Sequence, residues 1–152
     1  MSFIDYDPGI RVQLCSCHPL ESWEFRNLSA PHWRLYWNDR RGAAVSLRRR
    51  RTALTPARFL VIPPDTPFAA RLSRPVTHFY MHFTADPPFD AARPGVYTFP
   101  ARPALRSQVG ELRRMLGSRA GPGPRASLLC RSLAAVALSR VPAASFRPGP
   151  AD

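Results

Sequence analysis

The residues best suited to chemistry lie in the segment Val76–Phe83, VTHFYMHF. On a strand its side chains alternate between faces. His78, Tyr80 and His82 then share one face, and Phe79, Met81 and Phe83 the other. Imidazole and phenol groups form hydrogen bonds, and their rings stack on flat or sugar-like partners. Two arrangements satisfy the pattern. In one, the polar row meets solvent and the apolar row fills the core. In the other, the polar row lines a hydrated pocket inside a barrel, and the apolar row packs outward beneath a second layer.

His18 and His32 complete the set of four histidines. A metal site needs three or four ligands. His78 and His82 stand about 13 Å apart along a regular strand, at ~3.3 Å per residue, so they cannot share one ion. No His-x-His followed by a carboxylate occurs, and glutamate is confined to Glu21, Glu24 and Glu111. No metal and no other cofactor is expected. Cys15-Ser16-Cys17-His18 puts two thiols on one strand face with His18 at the end, but no second pair follows and Cys130 is remote. Buried structural thiols are the plainer reading.

Nucleophile-elbow, phosphate-loop and dinucleotide-binding motifs are absent. The acidic residues are few and unpaired, against the two carboxylates a glycosidase requires. No catalytic residue is expected, and the chain reads as a non-enzyme. Arg26 lies between aromatic segments. Its planar fork suits hydroxyls or a carboxylate, but it is also one arginine among many. The run Arg48–Arg51 could touch phosphate; such runs at hairpins are usually solvated.

These residues need a scaffold. A chain of 152 residues buries enough surface to fold without staples. With 45% apolar and 11% aromatic residues it is globular. The net charge of +12 comes from 22 basic residues, all arginine, against 10 acidic ones. Such a field attracts anions but does not establish DNA binding. Three cysteines form no disulfide framework. The N-terminus lacks the pattern of a signal peptide and no run is long enough to span a membrane, so a cytoplasmic protein is expected.

Eighteen prolines punctuate short apolar runs. Strands are expected at Arg11–Cys17, Trp23–Phe25, His32–Asn38, Ala43–Leu47, Phe59–Ile62, Phe68–Leu72, Val76–Phe83 and Val96–Phe99. Arg48–Arg51 sits where a hairpin should bend. Trp33, Leu35 and Trp37 share a face of HWRLYWN and are costly to expose, so that face is assigned to the core. After Pro103 the period changes. Leu105, Val109, Leu112 and Leu116 form one stripe on a helix over Ala104–Leu116, with Gly117 as its stop. A second helix runs from Pro124 to about Val141, and Pro142 ends it. The stripe could pack back on the barrel or against a partner. Residues 143–152 read as a linker.

The strings HWRLYWNDRRGAAV, LTPARFLVIPPDTPF, VTHFYMHFTADPPFD and RPGVYTFP resemble the N-terminal sensor region of AraC-type transcription regulators. The resemblance covers about residues 15–99. It implies a mainly β fold, a cupin-like β-barrel (jelly roll) over 1–102 followed by two C-terminal α-helices over 103–142. It implies a small effector, often a sugar, inside the barrel. By motif, the effector contacts would be Arg26, Phe68, Ala70, His78, Tyr80 and His82. Sugar-binding members carry polar residues where Phe68 and Ala70 stand, so the resemblance implies a larger or less polar effector. It also implies a homodimer through the helical segment, with Leu105, Val109, Leu112 and Leu116 as contacts. The family's DNA-binding half, with two helix-turn-helix units, is not represented, so DNA would be reached only through that half. The alternative class is a stand-alone metal-dependent cupin enzyme, with His78 or His82 joining His32 on the metal.

Overall fold

The computed structural model describes residues 1–146. Nine strands precede two helices. The strands are β1 (Arg11–Leu20), β2 (Phe25–Leu28), β3 (Trp33–Asn38), β4 (Ala43–Leu47), β5 (Arg50–Leu54), β6 (Arg58–Ile62), β7 (Phe68–Leu72), β8 (Val76–Thr84) and β9 (Tyr97–Pro100). The helices are α1 (Pro103–Leu116) and α2 (Gly123–Arg140).

The strands form two antiparallel sheets. One runs β1-β8-β3-β6-β9 and the other β2-β7-β4-β5. Among the described residues the sheets do not join into a closed barrel, which corrects the barrel expectation to a two-sheet, jelly-roll-like sandwich. The chain passes from the first sheet to the second through Pro63-Pro64, which lack N–H groups and cannot extend the ladder. Buried side chains explain why the sheets pack face to face. Tyr36, Leu60 and Ile62 of the first meet Val45, Leu54, Phe68 and Ala70 of the second.

The outer face of the first sheet is covered as well. Trp33, Leu35, Phe79, Met81 and Phe83 pack with Val109 and Leu112 of α1 and Leu133 and Ala137 of α2. The molecule is thus three layers deep: helices, five-stranded sheet, four-stranded sheet. After Arg58, strand β6 is apolar because both its faces are buried, Phe59 and Val61 toward the helices and Leu60 and Ile62 toward the second sheet.

The expected stripe on α1 is therefore enclosed within the chain. Val109 and Leu112 are buried, and Leu105 and Leu116 are half-buried. Pro103 occupies the first turn of α1, where its missing N–H costs nothing. Part of the expected linker is also docked. Phe146 bridges to Ala92 and packs edge-on against Phe89, because an aromatic ring gains by leaving water. The rest of the linker expectation, residues 147–152, lies outside the described residues.

Candidate functional site

Strands β3 and β8 are neighbours in register, pairing Arg34 with His82, Tyr36 with Tyr80 and Asn38 with His78. Alternation sends these six side chains away from the helices and into the space between the sheets. Of the two arrangements open for Val76–Phe83, this is closer to the second: the polar row lines a cleft between the sheets, and Phe79, Met81 and Phe83 pack outward under the helices. Strand β1 adds His18, the register partner of His78. Trp23 and strand β2, with Phe25 and Leu28, supply the opposite wall. The volume is about 280 Å³, and the cavity opens to solvent beside the exposed Phe25.

Rings dominate this cavity. Trp23 lies 5.0 Å from His78 and 5.6 Å from Tyr36, between ring centres. Tyr80 has His78, His18 and His82 at 5.4–5.5 Å. His32 stacks on His82 at 4.1 Å. All four histidines of the chain therefore belong to one contiguous aromatic array. At its base Phe68 packs against Tyr36, and the Arg34 guanidinium lies over the Phe68 ring at 5.6 Å.

Hydrogen bonds orient the array. The Nδ1–H of His78 donates to Asn38 Oδ1 at 2.6 Å, which leaves Nε2 as an acceptor in the neutral ring. Arg34 Nη1 donates to the Tyr36 hydroxyl at 3.1 Å and approaches His82 Nε2 at 3.4 Å. Burial, reinforced by the facing His18 and His82, pushes His78 down to about 3. Burial, with His32 and Arg34 beside it, pushes His82 down to about 4. Both rings are neutral at pH 7, whereas Arg34 brings a permanent positive charge to the cavity.

Of the expected effector contacts, His78, Tyr80 and His82 line the cavity. Phe68 and Ala70 lie in the buried layer beneath it. Arg26 does not reach it: its side chain is exposed and shares a shallow outer groove with Glu24 and Arg71. Arg34, Tyr36, His18 and Trp23 were not singled out as contacts from the sequence. The signal for Arg34 and Tyr36 was present, because assigning Trp33 and Leu35 to one face of β3 commits their neighbours to the other.

Cys15 and Cys17 turn toward the helices and pack in the same apolar cluster as Cys130 of α2, while His18 turns into the cavity. The three residues of the Cys15–His18 motif thus share no site. Among the described residues no three His, Cys, Asp or Glu side chains cluster to hold a metal ion. No helix among them is long and apolar enough to cross a membrane. A larger groove of about 640 Å³ lies beside the exposed Arg48, Arg49 and Arg50 at the β4–β5 hairpin, against Tyr97. No buried polar group converges on it, so the cavity between the sheets is the better-built site.

No protein-family model and no curated protein sequence matches the chain. Solved structures do. The chain is similar to unsaturated-fatty-acid-bound ToxT from Vibrio cholerae, with 8% identity and a TM-score of 0.60 over 99% of this chain. A second ToxT structure, at 1.65 Å resolution, matches with 9% identity and a TM-score of 0.58 over 95%. A third, bound to (E)-4-(8-methylnaphthalen-1-yl)but-3-enoic acid, gives 7% and 0.52 over 87%. At these identities the likeness is one of fold. The chain spans about 60% of the length of the ToxT chains it matches.

Proposed function

We propose that this chain is the effector-sensing and dimerising part of an AraC-type regulator, a cytoplasmic protein that acts on DNA through a separate DNA-binding unit. The observation that carries the reading is the inward row of His78, Tyr80 and His82. With Arg34, Tyr36 and Trp23 it lines a cavity between two sheets, a largely apolar concavity with a few convergent polar groups. The fold of ToxT, an AraC-family regulator, supports it. So do the small organic ligands named for two of those ToxT structures. The reading assigns no catalytic residue and no cofactor. A cupin-like ancestry of the sandwich is part of it. The effector is a small organic molecule, and the aromatic wall admits stacking on a sugar ring as well as on an apolar body.

Homodimerisation belongs to the same reading. Because Val109 and Leu112 are enclosed, the contact would use outward residues of the helices, such as the exposed Leu128. Effector binding would shift the balance between arrangements of the full regulator, and only through its different affinity for them. The test is a thermal-melting screen of carbohydrates and small organic acids on the wild type and on His78→Ala. A ligand that raises the Tm of the wild type and loses its effect in the variant supports the cavity as effector site. Stabilising ligands that ignore His78→Ala, Tyr80→Ala and Arg34→Gln alike would place the site elsewhere. Sedimentation equilibrium decides the dimer.

A further inference from the structure

We infer that the cavity selects a small organic monoanion, a carboxylate on a flat apolar body, anchored by Arg34. The inference rests on the cavity being the effector site and adds the ligand's class.

Arg34 is the second residue of β3 and only 8% exposed. A guanidinium carries five N–H donors. Here one nitrogen serves the Tyr36 hydroxyl and the edge of His82, and no other hydrogen bond of the Arg34 side chain is found among the described residues. None of the ion pairs among the described residues includes Arg34. The cavity wall holds no Asp and no Glu. His78 and His82, driven toward neutrality by burial, add neither a counter-charge nor a second cation. A buried cation without a counter-charge is costly and is ordinarily paired.

A neutral polyol would satisfy N–H groups but leave that charge uncompensated. A carboxylate does both, because its two oxygens match the guanidinium fork. One cation argues for one negative charge, so a phosphate dianion is the poorer match. The other walls are rings, Trp23, Tyr36 and Tyr80, which favour a flat partner in offset or edge contact. A volume of about 280 Å³ lies just below the ~300–1,000 Å³ range of small-molecule sites. The ligand's body is therefore compact, nearer an aromatic acid than a long acyl chain.

The experiment is calorimetric titration of the 152-residue chain at pH 7 with benzoate, cinnamate and 3-phenylpropanoate. The matching primary amides and a panel of neutral monosaccharides are titrated alongside. The expected result is that at least one acid binds about tenfold or more tighter than its amide, the loss typical of a hydrogen bond to a charged group. Arg34→Gln should erase the difference, and Arg34→Lys should restore part of it. The acid–amide comparison uses the wild type alone, so it holds even where a variant folds poorly. Acids and amides binding equally would refute the anion anchor while leaving the cavity as effector site. Monosaccharides binding while every acid is silent would do the same. Silence of all three panels would overturn the ligand class and weaken the effector-site reading with it.

Discussion

Acid should destabilise this fold through one residue more than any other. His78 is 3% exposed, sits among Trp23, Tyr36 and Tyr80, and donates from Nδ1 to Asn38. Burial and the facing imidazoles hold it at about 3, against 6.5 for a free side chain. Between those values the unfolded chain binds a proton that the folded chain refuses. Stability is therefore complete above about pH 6.5 and declines as the pH falls toward 3. At pH 5 the unfolded side chain is about 1.5 pH units below its pKa, while the folded one is still neutral. At about 1.4 kcal/mol per unit the loss is about 2 kcal/mol relative to pH 7. His82 adds to the trend in the same direction, less so because it is only half-buried. Urea denaturation at pH 7 and pH 5, under reducing conditions, measures it for the wild type and for His78→Gln. The wild type should lose about 2 kcal/mol more than the variant between the two pH values. Using the difference of differences removes whatever the substitution does to packing. Equal losses in both proteins would mean that His78 titrates normally, and the buried, neutral imidazole would have to be abandoned.

Three further outcomes follow from the packing. Leu112→Ala opens a hole where α1 meets the first sheet, and urea denaturation should show a loss of about 2–5 kcal/mol. Gly42→Ala should cost more than about 1 kcal/mol in the same assay. Its φ is +152°, and a Cβ there would lie 2.8 Å from the Arg74 carbonyl oxygen. Arg26→Ala should leave stability within about 0.5 kcal/mol and leave calorimetric affinity for a cavity ligand unchanged, because the side chain lies on the outer face. A large loss of affinity in that variant would return Arg26 to the site.

Most strands were legible because their apolar runs are bounded by proline, glycine and aspartate. β4 and β7 appear with the expected boundaries, Ala43–Leu47 and Phe68–Leu72. β5 was missed. Its sequence RRTAL begins with two exposed arginines that read as the hairpin itself, and only its last residue, Leu54, is fully enclosed. An edge strand needs little apolar content, so its pattern is faint. The tight turn falls at Arg48 and Arg49, with Arg48 at a φ of 58°. The site was half legible. VTHFYMHF announced its polar row because histidine is scarce. Arg34 was hidden by its abundance, one arginine among 22 basic residues. What sets it apart is register: pairing of β3 with β8 brings it opposite His82 in a space the helices cannot reach. Register between strands far apart in sequence is a property of the whole sheet, and one strand's composition does not contain it.

The same alternation bears on how a bound effector could be felt beyond its cavity. Along β3, Arg34 and Tyr36 face the cavity while Trp33 and Leu35 pack under the helices. Along β8, His78, Tyr80 and His82 interleave with Phe79, Met81 and Phe83 in the same way. On these two strands each cavity-lining residue is thus one peptide away from a residue that supports α1 or α2. A close-packed interior does not absorb a displaced ring by compressing. A shift of β3 or β8 toward a ligand must therefore move Trp33, Met81 or Phe83 against the helices that sit on them. Two strands act as the shared wall between the cavity and a helical layer. For a sensor, that placement lets differential ligand affinity become a difference in helix position without any further moving part.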